Sequence, residues 1–453
     1  MINRLFLSTT LSALLFILLS IVPFAALSAP EDLTAEKTVL ENGLTVITRE
    51  KHSRPIVSVH LFCRTGPIYE NEKNLGISHF YEHLFFKGTP RRSALQMKRE
   101  IDSKGGELNA ATYKDFTQFY INITNDYLDD ALDLISDALI HATSESQEME
   151  KERKVVLEEI GLNEESPQSI MTNLFYQTAF KQHPYSKPIY GTPETIKGIT
   201  REEVLAFKNR FYVAPNLTLV VAGDFKTKPT LEKIRRYFAD VPSKKVDTPA
   251  VPIEPAQQDV RRHVEEMNIN RSYFMLGFPV AGMKDRDDIY PLDVLTFLLG
   301  QGRGSRLNTQ IKEKQGLAWT IAADFLTQRF PGTLEVIATF DQEKMAPLEA
   351  AVLSEIRKVR AGEISDRELE RAKTLLETTY TFGNETLQGQ ASTLGFYEAI
   401  GNYAFALDYV ERIRRTTKED VVRVANKYLK DNTYSIIILK PKAKKTGGVN
   451  ADH

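Results

Sequence analysis

The sequence predicts an α+β protein of two homologous domains, each a mainly antiparallel sheet with helices packed on one face. Three observations carry that expectation. The first is a long-range repeat: "TREEVLAFKNRFYVAPNLTLVVAGD" from Thr200 and "TKEDVVRVANKYLKDNTYSIIILK" from Thr417 align with one gap. Thr200, Glu202 and Val204 match Thr417, Glu419 and Val421; Asn209, Phe211 and Asn216 match Asn426, Tyr428 and Asn432. Both copies read as a capped helix, a turn and a buried strand. The second is the alternation, in each half, of strand-like runs with long amphipathic patterns. The third is "DVPSKKVDTPAVPIEPAQQD", where four prolines and mixed charges suit neither helix nor strand.

Taken in order, the chain opens with Arg4, the apolar run "LSALLFILLSIV" and the small-residue stretch "PFAALSAPED". This is the pattern of a secretory signal peptide over 1–29, with Ser28 or Ala29 as the last residue removed. It implies a secreted or periplasmic protein. An uncleaved anchor is the alternative, because the run approaches spanning length, and only then would a membrane be a partner. The first domain is expected over 36–241, the linker over 242–259, the second domain over 260–441 and a flexible tail over 442–453. "TNDYLDDALDLISDALIHA" and "QEKMAPLEAAVLSEIRKVRAG" read as core-facing helices, the second ended by its glycine. "VSVHLFCRTG" reads as a strand carrying Cys63, the single cysteine, so stability must come from packing rather than disulfides. "GQGRGSRL" at 300–307 lacks the G-K-[ST] of a phosphate loop and reads as a flexible glycine turn.

A composition of 42% hydrophobic and 26% charged residues is that of a globular protein, and a net charge of −2 offers no electrostatic footprint for nucleic acid. Chemistry concentrates in "GISHFYEHLFFKGT". On a helix His79, Glu82 and His83 project from one face, while Phe80, Leu84 and Phe85 face a core. Imidazoles at this spacing can take two corners of a tetrahedral zinc at about 2.0–2.1 Å, with a carboxylate beside them for water. A third ligand is sought downstream. In "EMEKERKVVLEEIGLNEE", Glu152 and Glu159 are two helical turns apart on the edge of an apolar stripe, as in a helix lining a cleft. A solvated acidic helix is the plain alternative, and it suits Glu158, Glu164 and Glu165 better than Glu159. His52, His60, His141, His183 and His263 have no such neighbours in sequence.

These segments resemble the pitrilysin/insulinase family of zinc metallopeptidases, in domain size its mitochondrial processing peptidase branch. The resemblance rests on H-x-x-E-H, on a glutamate 76 residues beyond the second histidine with another seven before it, on "GGELNAATYKDFTQFYI" and on "YGTPETIKGIT". It implies that His79, His83 and Glu159 bind one Zn2+ per chain, that Glu82 is the general base and that Glu152 completes the catalytic set. It also implies a clam-shell chamber made by a dimer, with each chain as one half. Asn109 and Ala110 stand where the family pairs an edge strand with substrate backbone, a mode suited to unfolded or short peptides. Lys312 and Trp319 stand where family members usually carry an arginine and a tyrosine that reach the bound peptide. Lysine keeps the charge without the planar fork, and tryptophan keeps a ring without the hydroxyl. The expectation is an exported zinc endopeptidase, as a homodimer or with a related metal-free subunit. The alternative is a low-activity or non-catalytic, chaperone-like scaffold subunit of a heterodimer.

Overall fold

The computed structural model describes residues 33–442. The signal peptide expected over 1–29 and all but the first residue of the tail expected over 442–453 lie outside the described residues. Among those described, no helix is long and apolar enough to cross a membrane.

Strands β1 (Glu36–Val39), β2 (Thr45–Glu50), β3 (Ile56–Cys63), β4 (Glu107–Thr112), β5 (Thr117–Thr124) and β6 (Leu217–Gly223) form one sheet, ordered β1-β2-β6-β3-β5-β4. Strands β7 (Arg261–Met267), β8 (Ser272–Pro279), β9 (Thr320–Phe325), β10 (Thr333–Phe340) and β11 (Ser435–Pro441) form the other, ordered β7-β11-β8-β10-β9. Apart from β1, the two orders superpose strand for strand. Even the parallel pair recurs at the equivalent place, β2 with β6 and β7 with β11, while the remaining pairs are antiparallel. The sequence repeat falls on the helices that feed β6 and β11. Thr200 caps Arg201–Phe211 and Thr417 caps Lys418–Tyr428, each through a capping box that satisfies two otherwise free helix-end donors.

Residues 242–259 contain neither helix nor strand. Glu254 ties them down: its carboxylate accepts from the backbone N–H groups of Lys181, Gln182 and His183 and lies 3.5 Å from Arg261.

Helices cover both faces of the sheets, not one. The reason is legible in β6, "LTLVVAG", which is buried at every position and therefore needs cover on each side. Leu217, Leu219 and Val221 face the helices of their own half, whereas Val220 and Ala222 join the core of the other half with Ile47 and Phe62. The second cover is the helix Leu387–Ile400, which comes from the C-terminal half and lies on β3 and β6. Reciprocally, the helix Pro167–Ala179 of the N-terminal half lies on β8 and β11, where Met171 and Phe175 meet Met275, Ile437 and Leu439. Each half thus lends the other a helix at the equivalent point of the repeat. Glycines allow the close approach: a Cβ on Gly395 would sit 1.9 Å from the Phe62 ring, and one on Gly277 would sit 2.3 Å from Phe175. The exchange joins both sheets in one compact unit.

Within 300–307, residues 301–304 form bends and a turn, while the first glycine has another role. Gly300 ends the helix Arg286–Gly300 against β9, and a Cβ there would lie 1.9 Å from the backbone N of Ala323, so this glycine serves packing.

Candidate metal centre

The histidines lie on the helix Ile77–Leu84, which follows Gly76 in the left-handed region at φ 86°. Ile77, Phe80, Tyr81 and Leu84 are buried in the first-half core, with Phe85 behind them. That burial fixes the helix rotation and turns His79, Glu82 and His83 to the opposite side, as the helical spacing requires. The helix Ser146–Glu165 packs against it, burying Val156 and Ile160 and bringing Glu152 and Glu159 to the histidines. One face of that helix is acidic and partly buried because it covers another helix's polar face.

His79 Nε2 lies 3.6 Å and His83 Nε2 3.5 Å from the same oxygen, Glu159 Oε2. One ligand atom from each of the three residues falls within 4.8 Å of the others. Ligands about 2.0–2.1 Å from a tetrahedral zinc are separated from one another by about 3.3 Å, so these three groups fit the ion with little adjustment. Their chemistry fits too, two imidazoles and a carboxylate, with Glu82 and Glu152 adding negative charge that favours a divalent cation.

The surroundings tune each group. Burial, reinforced by the neighbouring His83, pushes the His79 pKa down to about 3 and keeps it neutral, the form that ligates. Its ring meets the edge of Tyr190 at 4.7 Å. For His83, burial opposes the imidazolium, but the hydrogen bond to Glu152 and the charges of Glu159 and Glu82 outweigh it, and its pKa is raised. His83 Nδ1 is 3.2 Å from Glu152 Oε2, and Lys87 Nζ donates to Glu152 Oε1 at 2.6 Å. Burial works against the charged Glu152 carboxylate, yet His83 and Lys87 together hold its pKa below the usual value. Glu152 therefore reaches the site through His83, occupying Nδ1 and leaving Nε2 to point at Glu159. Burial raises the pKa of Glu82, opposed by the Thr112 hydroxyl, which donates to Glu82 Oε2 at 2.7 Å.

Thr112 ends β4, the edge strand that carries Asn109 and Ala110 and pairs with β5 alone. Asn109 Oδ1 accepts from the Ala110 N–H at 2.8 Å. Lys312 lies in a π-helical turn, Asn308–Lys314. Trp319 precedes β9, half exposed; its Nε1 donates to Asp341 Oδ1 at 2.8 Å and the Arg271 guanidinium sits 4.8 Å from its ring. Among the described residues, no hydrogen bond, ion pair or ring contact joins Lys312 or Trp319 to the histidine cluster. Lys87, Thr112 and Tyr190 escaped sequence reasoning. Each nevertheless lies in a segment singled out above: Lys87 in "GISHFYEHLFFKGT", Thr112 in "GGELNAATYKDFTQFYI" and Tyr190 at the head of "YGTPETIKGIT".

Among the described residues, the His-His-Glu cluster lies in the first of two copies of one sheet topology and has the donor set of a zinc site. Comparison with known proteins agrees. Residues 45–193 match the profile described as insulinase (peptidase family M16), and residues 198–376 match that described as the peptidase M16 inactive domain. A Rickettsia felis protein described as an uncharacterized zinc protease is 30% identical across 88% of this chain and 96% of its own. A probable mitochondrial-processing peptidase subunit beta from Arabidopsis thaliana is 28% identical across 92% of this chain and 79% of its own. Among solved structures, a protease from Helicobacter pylori superposes with a TM-score of 0.84 at 26% identity, covering 90% of this chain and all of that one. A Pseudomonas fluorescens structure described as a peptidase M16 inactive domain shares the fold, with a TM-score of 0.82 at 18% identity over 90% of this chain and 98% of its own. The chain belongs to the insulinase family of peptidases, M16.

Proposed function

We propose that this protein is an exported zinc endopeptidase that hydrolyses unfolded or short peptides inside a dimer chamber. The observation that carries the proposal is the convergence of His79 Nε2 and His83 Nε2 on Glu159 Oε2, at 3.6 and 3.5 Å. These three residues would hold one zinc per chain, with Glu152 orienting His83. When bound, zinc supplies Lewis acidity, which polarises a peptide carbonyl and lets water attack near neutral pH.

Glu82 takes the proton of the attacking water and delivers it to the leaving amine. Thr112 holds one Glu82 oxygen, leaving the other for that proton. A peptide adding to the β4 edge near Asn109 and Ala110 would use main-chain hydrogen bonds, so selection favours extended segments over particular side chains. Because Thr112 belongs to the same strand, the peptide-docking edge also carries the hydroxyl that holds the base.

A quenched, unstructured peptide tests this reading. Purified protein should cleave it, and Glu82→Gln should lower kcat by about 10²–10⁴-fold with zinc content unchanged. Equal cleavage by Glu82→Gln would refute the assignment. The second reading is a low-activity or non-catalytic subunit of a heterodimer. It is favoured by the match of 198–376 to an inactive-domain profile and by Lys312 and by Trp319, whose indole N–H is already engaged by Asp341.

A further inference from the structure

We propose that Glu70 is the positioning residue of the metal centre, holding the start of the His79 helix in register; the inference rests on the zinc reading above. The helix Ile77–Leu84 has only eight residues, and Gly76 at its N-cap offers no side chain to its first N–H groups. Nor can another residue replace that glycine: φ is 86°, and a Cβ would lie 2.6 Å from the Tyr190 carbonyl oxygen. The missing acceptor comes from outside the helix. Glu70, 4% exposed, accepts from the Gly76 N–H through Oε2 at 2.7 Å and from the Ser78 N–H through Oε1 at 2.9 Å.

A buried carboxylate at the positive end of a helix is well placed electrostatically, and two parallel hydrogen bonds fix direction as well as distance. The next residue after Ser78 is His79, so the first turn passes Glu70's placement directly to a ligand. The same point is held from the other side: Thr195 Oγ1 donates to the Leu75 carbonyl at 2.8 Å, and a Cβ on Gly191 would lie 2.3 Å from that oxygen. Lys187 Nζ donates to the Glu70 backbone carbonyl, keeping the acidic residue itself in place.

The test compares Glu70→Gln and Glu70→Asp with the wild-type chain. Zinc affinity is read by competition with a chromophoric chelator, coordination by the visible bands of the Co2+-substituted protein, and folding by the thermal midpoint of the metal-free form. Glu70→Gln keeps the shape but offers one oxygen, leaving an N–H facing an N–H. It should weaken zinc affinity by about 10-fold or more, displace the Co2+ bands and lower kcat while KM stays near wild type. Glu70→Asp, which keeps the carboxylate, should recover part of the affinity. Wild-type affinity and Co2+ spectrum in Glu70→Gln would overturn the inference while leaving the zinc reading intact. So would loss of folding in both metal-free variants, since Glu70 would then be a general core residue. A wild-type chain that takes up no zinc would remove both.

Discussion

Glu82 and Thr112 show how the site joins residues that lie thirty positions apart. The carboxylate comes from a helix and the hydroxyl from the end of an edge strand, and they meet at 2.7 Å. Losing a hydrogen bond to a charged group costs about 1.5–3 kcal/mol when the group stays buried. Thr112→Val should therefore lower stability by about 1.5–3 kcal/mol and, by leaving the base unheld, lower kcat by about 10-fold, with zinc content close to wild type. Steady-state assays beside metal analysis would check this, and unchanged kcat would show that Thr112 does not orient the base. At this scale His79, Glu82, His83, Glu152 and Glu159 were legible because helical periodicity puts each set on one face. Thr112, Lys87 and Tyr190 were not read as site residues although each lies in a quoted segment, since nothing local there says which distant side chain it will meet.

The helix "TNDYLDDALDLISDALIHA" forms over Leu128–His141 and "QEKMAPLEAAVLSEIRKVRAG" over Met345–Arg360, both read from their apolar stripes. The exchange of Pro167–Ala179 and Leu387–Ile400 was hidden, because periodicity says which face of a helix is apolar and not which sheet receives it. One consequence concerns β10 beneath the exchanged helix. Glu335 pairs in register with Asp324, accepts from Thr333 Oγ1 at 2.7 Å and lies against Gly277. Burial, more than the nearby Asp324, pushes its pKa up to about 7 from an ordinary 4.5. The unfolded chain ionises near the ordinary value while the folded chain keeps the proton. Stability from this group is thus full below about 4.5 and is lost as pH rises to about 7, by on the order of 3 kcal/mol. Glu335→Gln should remove that component, narrowing the difference between urea midpoints at pH 5 and pH 7.5. Parallel midpoints for wild type and variant would contradict the assignment.

At the scale of the molecule, the repeat was readable from the matched helix–strand segments, and the topology extends it to five equivalent strands per sheet. The copies have diverged in chemistry. The first carries the His-His-Glu cluster, whereas the equivalent helix of the second, Arg286–Gly300, is a largely buried apolar element without histidine. From Lys312 and Trp319, which depart from the usual arginine and tyrosine, we propose a heterodimer in which a related metal-free subunit supplies the missing pair. Native mass spectrometry after mild purification from the source cell should show this chain with a partner lacking H-x-x-E-H. A stable homodimer that cleaves peptide at full rate would exclude that arrangement.

The most direct test of the central claim is metal content by mass spectrometry on purified wild-type protein and Glu159→Gln, each assayed with the quenched peptide. The account predicts about one zinc per wild-type chain with cleavage, and loss of both in the variant. Wild-type protein from metal-replete medium that carries no zinc, or a Glu159→Gln variant that retains zinc and activity, would contradict it.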